Sequence, residues 1–169
     1  MSVPPTVTVR RKTGAQRCIA FGEDSNTEFD WGEGAQYMKN AYSVTREFGR
    51  EEIDVTSFGD YPFKATEAGF INAGINISMR KGTTEDGALA PDVEFMESHA
   101  LSGEPFRIAV LDDRGTTPNG LSMTVVATQA NDGGDVSAAQ DLSYTLKVAS
   151  GRRPPMRIVK GVPVPIVAK

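Results

Sequence analysis

The feature that most limits the fold of this chain is a period of two. Residues 71–79, INAGINISM, put Ile71, Ala73, Ile75, Ile77 and Met79 on one side and Asn72, Gly74, Asn76 and Ser78 on the other. An extended chain sends successive side chains to opposite faces, so this segment reads as a strand with one buried and one wetted face. The pattern recurs in 42–48, YSVTREF, where Tyr42, Val44, Arg46 and Phe48 share a face against Ser43, Thr45 and Glu47. Gly49 and Arg50 then read as a turn. In 51–58, EEIDVTSF, Ile53 and Val55 oppose Glu52, Asp54 and Thr56, and Gly59, Asp60 and Pro62 stop the run. Further strands are predicted at 106–112, 121–129 and 142–149, with a short edge strand at 156–160. Alternation of this kind belongs to half-buried antiparallel strands.

One segment breaks the rhythm. Residues 91–102, PDVEFMESHALS, place Val93, Met96 and Ala100 at helical spacing, with Leu101 beside them. Pro91 and Asp92 suit a helix start and Gly103 suits its stop. The acidic stretch 20–34, AFGEDSNTEFDWGEG, reads as a long loop. GTTEDG at 82–87, DDRGTTPNG at 112–120 and QANDGGD at 129–135 are rich in residues that accept tight turns. The expected fold is mainly β: an antiparallel β-sandwich or barrel with one short flanking α-helix and long loops. Its 169 residues suit a single domain, with residues 1–40 as an N-terminal arm and loop. Residues 41–151 form the core β domain and 152–169 a Pro-rich extension.

Composition removes several function classes. A net charge of -4 disfavours a general nucleic-acid binder, which needs basic surface. One cysteine, Cys18, cannot close an internal disulfide, and with the single His99 it is a poor basis for a zinc site. No stretch approaches the ~20 apolar residues of a membrane span. The opening MSVPPTVTVRRK lacks the apolar centre of a secretory signal, so synthesis in a reducing cytoplasm is expected.

The chemical candidates are weak one by one. Glu51/Glu52 and Asp112/Asp113 are adjacent along strands, so each pair points to two faces and does not share a site. NDGGD at 131–135 lacks the ligand spacing of a calcium loop and reads as a hairpin turn. His99 reads as a partly buried or hydrogen-bonded helix residue, and Cys18 as a small core hydrophobe beside Ile19, Ala20 and Phe21. Phe29 and Trp31 sit in an acidic loop, where they either fold onto the core or anchor a partner. The basic clusters RRK at 10–12 and GRR at 151–153 suit contacts with acidic loops of a neighbouring copy.

The stretch EEIDVTSFGDYPFKATEAGFINAGINISMRK resembles the tail tube (major tail) proteins of long-tailed bacteriophages. The resembling parts are Asp54 to Asp60, Phe70 to Gly74 and Ile75 to Arg80. A helix at 92–102 follows in the same order, and then a hairpin-rich half ending in VVATQANDGGDVSAAQDLSYTLKVASG. The likeness spans residues 40–151.

The resemblance implies a structural virion protein without catalysis or cofactor. Its subunits form six-membered rings that stack into a hollow tube behind the capsid. Strands of neighbouring copies join around a lumen through which DNA passes without specific binding. The implied partners are further copies of the chain, the tape measure protein, the distal tail protein and the tail terminator. The implied location is the virion tail, after assembly in the host cytoplasm. Loops 20–34 and 80–91 become contacts between rings. The expected lumen wall is the polar face of Glu52, Asp54, Thr56, Asn72, Asn76 and Ser78, whose acidity would repel the phosphate backbone over roughly 8 Å. Arg46, Arg80, Phe29 and Trp31 are the expected inter-subunit residues. Three alternatives stand beside this reading: a capsid decoration or tail terminator protein, a carbohydrate-binding sandwich using Trp31, Tyr37 and Tyr42, and an enzyme working through His99.

Overall fold

A computed structural model describes residues 17–24, 35–54, 66–112, 117–133, 140–149 and 155–166. For residues 50–54 and 66–72 it is the backbone that is described. The strands are β1 (Cys18–Glu23), β2 (Gln36–Tyr37), β3 (Ala41–Asp54), β4 (Thr66–Arg80), β5 (Phe106–Leu111), β6 (Gly120–Gly133), β7 (Asp141–Val148), β8 (Met156–Val159) and β9 (Val162–Pro165). One helix, α1 (Pro91–Ser102), separates β4 from β5. All strand pairs are antiparallel, in the order β2-β1-β5-β6-β7-β4-β3, with β8 on β6 and β9 on β8.

The outermost strands of that order, β2 and β3, are joined by only Met38, Lys39 and Asn40. So short a link forces the sheet to roll round until its ends approach. The roll stops short of a closed barrel. Between the ends lies an open seam of about 390 Å³, lined by Cys18 and Ile19 on one side and Tyr42 and Val44 on the other. Inside the roll sits the main core. Strand β4 contributes Ile75, Ile77 and Met79, and β7 contributes Leu142, Tyr144 and Leu146. Facing them are Ile19 and Phe21 of β1, Ile108 and Val110 of β5, and Met123 and Val125 of β6. The alternation seen from Ala73 to Met79 is thus the inner lining of the roll.

Helix α1 caps this core. Val93 and Met96 are fully buried, and Phe95 packs against Phe21 and Phe106 at ring-centroid distances of 4.8 and 5.5 Å. The predicted helix ends hold: Pro91 lies in the first turn, and Gly103 caps the end at φ 70°, donating its N–H to the His99 carbonyl. Leu101, expected beside the apolar stripe, points outward instead and is 89% exposed. Asp92 pins the helix to the corner of the roll. Its buried carboxylate accepts the N–H groups of Lys39 and Asn40 and the Asn40 side-chain amide, each at 2.8 Å. These charge-assisted bonds hold the link that leads into β3.

Four local expectations change. Gly49 and Arg50 do not turn the chain: they pair with Asn72 and Ile71 inside one 14-residue strand, whose register stays unbroken from Ser43 to Arg50. The unbroken ladder with β4 outweighs the weak strand preference of a single glycine. Residues 18–23, partly read as loop, form β1, because Ile19 and Phe21 supply core contacts. Strand β6 runs through 129–133, read as turn, and the Pro-rich tail adds β9. The β8–β9 turn is Lys160-Gly161, both with positive φ (50° and 79°), the geometry that a two-residue hairpin requires.

Tyr144 shows what the helix does to its floor. Its phenol is pushed up from 10.0 to about 12, first by burial and then by the nearby Glu97 and Asp132 carboxylates. The fold therefore holds the neutral phenol. The stability it confers is complete below the free value of 10.0 and is lost as pH rises through about 12. The difference in phenolate absorbance between the parent chain and Tyr144→Phe will show a midpoint near 12; a midpoint near 10 would contradict this burial. Asp92→Ala, which strands three donors at the corner, will lower the free energy of chemical denaturation by about 3–5 kcal/mol. A loss below about 1 kcal/mol would mean that water replaces the carboxylate at little cost.

Candidate assembly surfaces

Besides the short end strands β2 and β9, two long margins of the sheet carry backbone without a partner strand among the described residues. Strand β3 pairs with β4 on one side, and among the described residues nothing pairs with its other side. Strand β6 is shared differently along its length. Residues 120–125 pair with β5, and 120–122 also with β8, whereas among the described residues 126–133 pair with β7 alone. From Thr128 to Gly133 every residue is exposed. The hairpin of β3 and β4 also outruns the sheet: β7 covers β4 only from Gly74 to Arg80. A two-stranded ribbon is marginal by itself in water, so its outer half needs company.

Between these margins lies a four-strand face, β6-β7-β4-β3. Its register sets polar residues in rows. Gln129, Thr145, Asn76 and Thr45 form one row, and Asn131, Ser143, Ser78 and Ser43 form the next. Both rows carry hydroxyls and amides and no charge. The following row holds Lys147 and Glu47 on either side of Gly74. Asn76 ties the rows together by donating its side-chain amide to Glu47 Oε1 at 2.6 Å.

Of the expected wall residues, Asn76 and Ser78 share this face. Glu52, Asp54 and Asn72 lie in β3 and β4, where the backbone pairs Glu52 with Ala68, Asp54 with Thr66 and Asn72 with Gly49. Thr56 lies outside the described residues, as do Phe29 and Trp31. The Arg80 guanidinium lies 5.6 Å from the centre of the Tyr42 ring. Tyr42 itself falls at a register shift between Ala41 and Ser43, which takes it out of step with Val44, Arg46 and Phe48. Arg46 stays on the core side of β3, opposite Ile75. The uncharged rows were not legible in any one segment, because each draws on four strands from three parts of the chain.

His99 is held by structure on both ring nitrogens. Nδ1–H donates to the Phe95 carbonyl at 3.0 Å, and Nε2 lies 3.2 Å from Glu23 Oε2. The ring is buried between Phe95 and Phe106. This is the packed helix residue read from the sequence. Cys18 is likewise buried, in a second small cluster with Ala20, Ala109, Leu111 and Ile158.

No protein-family model matches the sequence, and no curated protein matches it. Solved structures do. The chain superposes on the subunit of the SPP1 tail tube with a TM-score of 0.66 at 10% identity, covering 89% of this chain and 80% of that one. It matches the tail of a gene transfer agent particle, refined with C6 symmetry, at 0.61 and 15% identity over 83% and 96% of the two chains. A third match is the baseplate of the anti-feeding prophage, at 0.53 and 11% identity over 89% and 95%. The rolled antiparallel sheet with its single capping helix is the fold of phage tail tube subunits.

Proposed function

We propose that this chain is a structural subunit of the tail tube of a long-tailed phage or phage-like particle. Six copies close into a ring, rings stack behind the capsid, and the double helix passes through the lumen. The observation that carries this reading is the pair of open margins on one four-strand face. Those strands alternate in direction, so a rotated copy brings its β6 to β3 of the first copy in antiparallel sense. Repetition of one such contact closes a ring. Closure satisfies both margins at once, which a free subunit cannot do.

The same rotation turns every polar face the same way. The lumen wall is then the pair of uncharged rows, with Asn76 and Ser78 at the centre and Ser43, Thr45, Ser143 and Thr145 around them. These two rows carry no cation and add little of the salt-dependent attraction that each phosphate contact brings, and the next row sets Lys147 and Glu47 on either side of Gly74. The tube would end on a tail terminator and a distal tail protein, and would enclose a tape measure protein until ejection. Assembly in the host cytoplasm follows from that role.

Electron microscopy of the concentrated protein, seeded with sheared tubes, will show hollow tubes built from six-membered rings. Discrete caps or permanently monomeric protein would contradict the proposal. Ser78→Lys will still form tubes, but these will retain short duplex DNA at low salt and release it as salt rises. Failure of that variant to form tubes would place Ser78 in a subunit joint and not on the wall.

A further inference from the structure

A groove of about 220 Å³ runs along the open half of β6. Glu97, Ala100 and Leu101 of α1 form one wall, Ala130 and Asp132 of β6 form the other, and Tyr144 lies between them. The groove is apolar within and acidic at its mouth. Lys81 lies 3.6 Å from both Glu97 and Asp132, so two carboxylates share one cation.

The opposite margin of the same sheet carries the complement. Phe48 of β3 is 53% exposed, and Arg46 stands two positions before it. Both lie on the groove's side of the sheet, because Val44 continues the row of Ile77, Tyr144 and Ala130, and Arg46 the row of Ile75 and Leu146. The geometry points to this groove as the socket for Phe48 of a second copy, with that copy's Arg46 facing Asp132 and Glu97. The inference rests on edge-to-edge joining of copies and names the contact that orients it. In an antiparallel pair, a register with Arg46 opposite Asp132 also sets Phe48 opposite Ala130. Within one copy the two margins are separated by β7 and β4, about 14 Å of sheet, so Phe48 cannot fill its own groove. An aromatic side chain in a desolvated pocket, flanked by an opposite-charge pair, is the arrangement that dominates protein interfaces.

The test uses the full chain carrying Phe48→Cys and Ala130→Cys together, under mild oxidation. Cross-strand neighbours lie within disulfide reach. Non-reducing gels will show a ladder of covalent multimers, absent from either single variant. Phe48→Ser will raise the protein concentration needed for tube formation at least tenfold, with the melting curve of the free subunit unchanged. Tubes without a ladder, together with Phe48→Ser assembling at the parent concentration, would overturn this contact and leave the tail tube reading standing. A parent chain that never assembles would overturn both.

Discussion

The constraint on which this structure depends is the saturation of backbone hydrogen bonds along a strand. Each residue carries one donor and one acceptor, and a sheet satisfies only the sides that have neighbours. Here seven strands run in one series, and the series has ends. The roll brings those ends near each other at Met38–Asn40, yet the seam stays open. Among the described residues, the longest deficits therefore fall on the outer side of β3 and on the half of β6 that has outrun β5. Natural sheets blunt such margins with charges, prolines, short strands or bulges. Strand β3 is long and has a bulge only near its ends, at Ala41/Ser43 and Arg50/Glu52.

One alternation serves two purposes on these strands. In β4 and β7 the apolar positions build the core under α1, and the positions between them build the uncharged rows. Core and outer face are therefore coupled: a slip of one residue would bury the polar rows and expose Ile75, Ile77 and Leu146. Asp92 protects that register from the side. By holding Lys39 and Asn40, it fixes where the link leaves β2 and enters β3.

The residues show why some of this was readable and some was not. Ile75, Ile77 and Met79 announced their strand because one face of β4 is wholly apolar and the other wholly polar over that stretch. Helix α1 was legible from its two ends, since Pro91 and Gly103 act locally. Gly49 misled, because a glycine reads as punctuation until a partner strand of equal length holds it extended. Strand β1 was hidden because Cys18 to Phe21 are buried on both faces, which erases alternation. Net charge gave no guide to the hydroxyl and amide rows of the β6-β7-β4-β3 face, because charge counted over a chain does not say which face carries it.

Amide hydrogen exchange measured on free subunits and on assembled protein tests the open margins most directly. If the margins are the joint, amides that face outward along β3 and along residues 126–133 will exchange quickly in the subunit and slow by several orders of magnitude on assembly, while the paired amides of β4 and β7 stay protected throughout. Equal exchange of the two margins before and after assembly would show that copies meet elsewhere and that these edges remain open to water.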